Sequence, residues 1–461
     1  MPRQHTPTDL ASTLSFWLLA VFLVILWVAG GASRGDVLGQ AVVRFSAWAI
    51  ISLAILVLPR FEWRSIRAPA IILGAAIVLV ALQLVPLPPS IWTALPGRQS
   101  FVEAANLAGI DQPWRPLSIS PSGTANALAS LVVPAAVLLL VANLRSEQHW
   151  RIVTLVLGLV FAGAVLGFVQ FSGGWFDNPF HNDISGQVNG NFANRNHFAL
   201  FLTIGCVLAL VWAFQSKQSR WKIAASFGMI VLFILMILAT GSRMGVLLGV
   251  IGIALGGLVV RERLIRELKA MPRKLAVPLV ALGLALLATL IWLSISLDRA
   301  MSVERAVLLD DEADLRQQIW PVVMDSIGRY FPAGSGFGTF DPVFRISEPD
   351  NVLNPQYINL AHNDWLQIPL EGGVAGCALL AGALFWFLRR HVSAYGYGRT
   401  RGGAEVYPER AGAIILVLVL VASIVDYPAR TPMVMALLAL AATWLTGFKK
   451  GGGGSADAPP A

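Results

Sequence analysis

Charge is scarce in this chain. Only 13% of its 461 residues are Asp, Glu, Lys or Arg, whereas 56% are hydrophobic and the mean hydropathy is +0.68. Soluble domains carry about a quarter charged residues, so a soluble globule is excluded and a polytopic membrane protein follows. Cysteine is nearly absent. Cys206 and Cys377 both fall inside apolar runs, which excludes a disulfide framework and a cysteine metal site. Walker-type phosphate loops and H-E-x-x-H spacing are missing, and the glycines of Ala333 to Gly338 have no strand before them and no cytoplasmic helix after them. Neither a metal nor a cofactor is therefore expected. No small-residue cleavage site precedes Gly30, so the first apolar run reads as a retained helix rather than a signal peptide. The excess of 34 Lys and Arg over 26 Asp and Glu reads as cytoplasmic loop charge, with no nucleic-acid partner.

What is present is a series of long apolar runs. A spanning helix needs about 20 such residues. Twelve segments are predicted to span, near 12–30, 37–58, 68–86, 122–142, 151–171, 197–214, 222–240, 243–260, 275–297, 364–388, 411–426 and 430–447, the last two being short. With the N-terminus inside, Lys and Arg show a roughly twofold excess in the inner connections, which supports that orientation and an even number of spans. Both termini are then cytoplasmic.

The longest connection, 298–361, falls outside on this scheme, between the ninth and tenth spans. It carries ten Asp or Glu against five Arg, and its aromatic residues, Trp320, Tyr330 and Phe340 among them, predict a packed, partly helical subdomain rather than disorder. The outer segments 87–120 and 172–196 are placed to pack beside it. Trp92, Trp114 and Trp175 fit an interfacial aromatic belt. The expected organisation is one transmembrane domain over 1–450 containing this subdomain, with a disordered Gly/Ser/Ala/Pro-rich tail over 451–461.

Polar residues that interrupt this pattern are the candidates for chemistry. His362, in Ala361-His362-Asn363-Asp364-Trp365-Leu366-Gln367, places an imidazole at a membrane boundary. It serves either as a base that takes a proton from a hydroxyl or as a hydrogen-bonding residue at the surface. Asp364 followed by Gln367 fits a capping box for the next helix. Arg243, in Thr240-Gly241-Ser242-Arg243, stands at a helix N-terminus on the outer face, where it binds phosphate or snorkels to the interface. Arg316 lies among Asp311, Glu312 and Asp314, and read alone it favours a salt bridge. Arg195, Asn191 and Asn196 belong to an amide-rich segment, Gly190 to His197, able to hydrogen-bond sugar hydroxyls or to cap a helix. Arg44 sits about two turns inside the second span, where a charge is by default functional or else paired, with Asp426 or Glu371 as the counter-charges.

Taken together, the G-S-R turn, a loop arginine, H-N-D-aromatic-L-Q followed by Glu371-Gly372-Gly373, the asparagine-rich segment and Asp426-Tyr427-Pro428-Ala429-Arg430 resemble the O-antigen ligase and polymerase superfamily over roughly residues 185–430. The resemblance implies a GT-C type glycosyltransferase of the bacterial inner membrane with its active site facing the periplasm. Its donor would be a glycan on undecaprenyl diphosphate. By motif position, Arg243 and Arg316 would hold the diphosphate and His362 would activate the acceptor hydroxyl, with inversion and without metal. Arg430 enters with the Asp426 to Arg430 motif as a further substrate-binding position. The acceptor would be the lipid A core for a ligase or another lipid-linked repeat unit for a polymerase, and a chain-length regulator is a possible partner. A different class, a twelve-helix transporter or flippase of lipid-linked glycan, is disfavoured by the lack of a repeated half and by the single long loop.

Overall fold

The computed structural model describes residues 7–58, 61, 63–174, 178–181, 187–215, 220–270, scattered positions from 272 to 292, 311–353, 358–395 and 406–447. The described residues are dominated by helices. First come α1 (Pro7–Ala29), α2 (Leu38–Val57), α3 (Trp63–Leu82) and the short α4 (Pro89–Trp92) and α5 (Gln99–Leu107). Next, α6 (Pro121–Ser130) and α7 (Val132–Val141) form one apolar rod interrupted at Leu131, followed by α8 (Ser146–Phe171), α9 (Arg195–Ala213), α10 (Arg220–Ala239) and α11 (Arg243–Ala270). The remainder is α12 (Asp311–Tyr330), α13 (Phe340–Ser347), α14 (Asp364–Tyr395), α15 (Tyr407–Ala422) and α16 (Pro432–Leu445). Among the described residues, eight helices are long and apolar enough to cross a membrane, and Ile66–Leu82 and Pro432–Leu445 are shorter apolar helices. Every predicted span is helical except 275–297, which falls largely outside the described residues, as does the tail 451–461.

Helix α9 forms the axis of the bundle. It is apolar on all sides and 89% buried, packed by α8, α10, α11 and α15, as a helix without a polar face must be. Small residues make the closest of these contacts. A Cβ added at Gly245 of α11 would stand 2.4 Å from Ala199 Cβ, and one at Gly252 would stand 2.7 Å from Thr203 Cγ2. Such approach lets dispersion replace the hydrophobic effect, which lipid does not supply between helices. The N-terminus of α9 thereby becomes a rigid post, and it carries the asparagine-rich segment.

Buried residues between Ile319 and Leu370 build a second core at one end of the bundle, with Ile319, Val323, Tyr330, Phe340, Phe344 and Val352 buried together. Segment 87–120 packs on it. Pro86–Leu87 pairs antiparallel with Arg115–Pro116, and the buried Arg98 donates to Leu117 O (2.7 Å) and Gly334 O (3.1 Å). Burial pushes the Arg98 guanidinium down to about 10. Residues 178–181 and 187–196 go elsewhere, onto the α1–α2 turn and the start of α2, through Gly39 N to Phe180 O and Ala193 N to Gly31 O. Nor does Trp92 belong to an interfacial belt, because it is 3% exposed with its indole N–H on Pro116 O. Its amphipathic ring satisfies itself inside the segment instead, and Trp114 remains exposed.

The long α14 is broken within its first three turns. Gly373 takes φ +56° and ψ −148°, so the helical ladder fails there and the turn 332–336 fills the gap. Val374 N donates to Pro332 O, while the freed Leu370 and Glu371 carbonyls accept from Ser335 N and Gly336 N (each 2.9 Å). The glycines of Ala333 to Gly338 are therefore part of a docking turn: Gly334, Gly336 and Gly338 all have positive φ and meet backbone or side chain closely. Replacing Gly373 by Ala would push a Cβ to 2.2 Å from Pro332 O at a left-handed φ. We expect Gly373→Ala to cost on the order of 1–3 kcal/mol, read as a lower thermal midpoint in detergent, whereas Gly382→Ala, where a Cβ meets open space, should leave the midpoint unchanged.

Candidate functional site

Asp426, between α15 and α16, is the hub of a polar cluster and is 1% exposed. Its carboxylate accepts from Asn196 Nδ2 (2.8 Å), Asn194 Nδ2 (3.2 Å) and the Tyr427 N–H (2.9 Å). Two imidazoles face it, His197 Nε2 at 3.4 Å and His362 Nδ1 at 3.9 Å. A buried carboxylate is tolerated only with such donors around it. The ring of Tyr427 lies edge-on to both imidazoles, with centroids 5.3 Å from His197 and 5.0 Å from His362. His197 is braced from behind by Thr431 Oγ1, 2.9 Å from its Nδ1.

His362 itself adopts φ +49°, a left-handed conformation that side chains other than glycine rarely take. Such strain persists where the surroundings over-determine it, and it recurs at functional positions. The cause is local: the chain must turn from the second core into α14 within two residues. Asn363 Oδ1 caps that helix by accepting from Leu366 N (3.2 Å), and Gln367 reaches back to Ala361 N (3.0 Å).

Asp364 is consequently not the cap predicted from its spacing to Gln367. It is 7% exposed and receives Arg430 Nε at 3.0 Å and Ser423 Oγ at 3.4 Å. Arg430 also reaches Glu371 Oε2 (3.5 Å), while Glu371 Oε1 accepts from Phe340 N (3.1 Å) and Gln367 Nε2 (2.9 Å). Arg430 thus ties the 3-10 turn Pro428–Arg430 to α14 between two carboxylates. Burial disfavours its charge, but the Glu371 and Asp364 carboxylates more than offset this and hold the guanidinium above its ordinary value.

The predicted residues are brought together unevenly. Asn196 links two motifs, because its Oδ1 accepts from Ser242 Oγ (2.7 Å) while its Nδ2 reaches Asp426. Ser242 therefore connects the G-S-R turn to the imidazole cluster, with Arg243 next to it as the first residue of α11 and Arg195 as the first of α9. Asn191 points away and is 1% exposed, its amide donating to Trp27 O at the end of α1. Arg44 pairs with neither Asp426 nor Glu371, which are engaged as described. It donates to Gln40 Oε1 (3.1 Å), one helical turn back. Arg316 falls in the second turn of α12, and its side chain lies outside the described residues.

The residues that sequence reasoning placed too low are Asp426, His197 and Asn194. An aspartate in a short turn between two apolar helices was the available signal, since an acid at a membrane boundary needs partners.

Residues 227–381 match the family described as O-antigen ligase. The match runs from within α10 into α14 and includes the G-S-R turn, Arg316 and the H-N-D motif. No curated protein matches the chain.

Proposed function

We propose that this chain, whose residues 227–381 support the resemblance to the O-antigen ligase and polymerase superfamily, transfers a glycan from undecaprenyl diphosphate to an acceptor hydroxyl at the periplasmic face of the inner membrane. On this reading the chain is a membrane enzyme of O-antigen ligase or polymerase type acting on lipid-linked glycan.

The observation that carries it is the chain of contacts from His362 through Asp426 and Asn196 to Ser242, which couples the H-N-D motif to the G-S-R turn. In this reading Asp426 faces Nδ1 and orients the ring, leaving Nε2 for the acceptor hydroxyl. The acceptor oxygen attacks the anomeric carbon, its proton passes to His362 Nε2, and the C–O bond to the diphosphate breaks with its electron pair on the departing phosphate. Attack opposite the leaving group inverts the anomeric centre. Arg243 and Arg316 stabilise the charge that develops on the diphosphate, the kind of preorganised contact that contributes most to transfer of this type. Arg195 and Asn196 are assigned to sugar or phosphate oxygens nearby. Asn191 is better explained as a brace for α1.

Arg243→Ala tests the diphosphate role. Losing one charge-assisted contact is expected to lower kcat/KM for the lipid-linked donor by roughly 10–100-fold while KM for the acceptor stays within a factor of about two. An equal rise in the KM of both substrates would assign Arg243 to folding of the turn instead.

A further inference from the structure

Segment 87–120 joins α3 to α6 at the end of the bundle that carries the Asp426 cluster, since Gln83 Nε2 donates to Glu371 O and Ser118 N donates to Gln83 O. Its base is locked down. Arg98 and Trp92 are buried against the second core, whereas α5 and the turn after it project as an arm on which every residue from Asn106 to Asp111 is exposed. The tip of this arm is apolar. Leu107 is 90% exposed, Trp114 64% and Ile110 61%, and no Lys or Arg lies between Gln99 and Trp114.

That exposure is built into the backbone. α5 ends in a Schellman turn: Gly109 takes φ +64°, its N–H donates to Asn106 O (3.1 Å), and Ile110 N donates to Ala105 O (3.0 Å). The chain beyond is folded back onto α5, because Gln112 Nε2 donates to both Val102 O and Asn106 Oδ1 (each 3.1 Å). These bonds hold Leu107 and Ile110 outward. Large apolar groups fixed in water are costly, and a patch of them marks a contact surface. What covers this one follows from where the chain returns. Leu87 pairs with Arg115, the neighbour of Trp114, and four residues beyond Trp114 the Ser118 N–H bonds to Gln83, next to the last residue of α3. Ser118 also stands three residues before Pro121, where the spanning rod of α6 and α7 begins. Four residues reach at most about 13 Å, so Trp114 stays beside a bilayer whose headgroup layer is about 5–7 Å deep. Leu82 and Val85 are exposed as well, and they continue the apolar surface of α3 toward the arm.

We propose that the tip of α5 enters the adjacent lipid leaflet through Leu107, Ile110 and Trp114 and anchors the second core to the membrane surface. A tryptophan beside aliphatic side chains is the composition that suits the boundary between headgroups and acyl chains. Apolar burial alone drives the entry. Glu103 and Asp111 are the only charged residues between Gln99 and Trp114, so the arm requires no anionic lipid, and both carboxylates stay at the level of water. Gln99 and Glu103, hydrogen-bonded to each other at 2.9 Å, lie about two turns and one turn back from Leu107, which makes the C-terminal tip the part that enters. Through Arg98 the anchor reaches the candidate site. The Arg98 guanidinium donates to Gly334 O, and Gly334 belongs to the turn docked on the broken start of α14, the helix that follows His362. A tip held in lipid therefore sets the height of this core above the bilayer. The anchor is independent of the transferase reading.

The test places an environment-sensitive fluorophore on single introduced cysteines of the full chain in phosphatidylcholine nanodiscs, with the unsubstituted chain setting the background from Cys206 and Cys377. Leu107→Cys and Ile110→Cys should give blue-shifted emission that spin-labelled lipid quenches and aqueous iodide does not. Ser100→Cys, at the start of α5, should behave in the opposite way. Adding phosphatidylglycerol or raising the salt should leave all three unchanged. In the Ile110→Cys chain, Leu107→Ser with Trp114→Ser should remove most of the blue shift and raise iodide quenching severalfold. The thermal midpoint in detergent should stay at its wild-type value, because both side chains are exposed. Iodide-accessible emission at 107 and 110 would overturn the anchor and leave the tip to a protein partner. A blue shift that requires two chains in one nanodisc would overturn it in favour of a second copy, and equal lipid quenching at 100 would overturn entry by the tip.

Discussion

His362→Ala is expected to lower the rate of glycan transfer by about 10²–10⁴-fold, the usual contribution of a positioned general base. The change removes the imidazole and keeps the Cβ, so the left-handed backbone at residue 362 is burdened as before and folding should be little affected. Gly at the same position separates strain from chemistry. His362→Gly should be as inactive as the Ala variant yet more stable by about 1 kcal/mol, because φ +49° costs a glycine almost nothing. Detergent unfolding midpoints and initial rates on the same preparations check both statements. An active His362→Ala enzyme removes the base from the mechanism.

Arg430→Ala should show its largest effect in stability. Removing the guanidinium leaves Asp364 and the fully buried Glu371 without their shared counter-charge, and breaking such a pair costs about 3–5 kcal/mol when both partners are buried. Since a quarter of the Arg430 side chain is exposed, the lower end, about 3 kcal/mol, is expected. Neutralising the stranded acid should reverse part of the loss: Arg430→Ala with Asp364→Asn should be more stable than Arg430→Ala alone. If the double variant is weaker than the single one, Asp364 owes its stability to Ser423 and the α15 end rather than to Arg430.

The helices were legible because run length and apolarity alone decide whether a segment lies in lipid. The break in α14 was not legible, since Gly373 in an apolar run looks like any small residue and its conformation is dictated by the 332–336 turn that docks on it. The candidate site was legible through its motifs but not through its wiring. Asp364 with Gln367 matches a capping box at the level of spacing, yet Asn363 takes the cap because the helix begins at Asp364 itself, one residue earlier than a cap at Asp364 requires. Asp426 is 230 residues from Asn196 and 64 from His362, and no local pattern reports pairing at that range. Trp92 was misplaced for a related reason: an indole near an apolar run reads as interfacial until its segment is seen to fold over it.

Covalent transfer by the Asp426 and His362 cluster can be observed directly. Mixing the purified protein with undecaprenyl-diphosphate-linked glycan and an acceptor in detergent, and identifying products by mass spectrometry and anomeric NMR, tests it without any membrane gradient. A new glycosidic bond of inverted configuration is expected with wild-type protein and none with His362→Ala. Bound but chemically unchanged donor, as a transporter would leave it, would contradict transfer by this cluster.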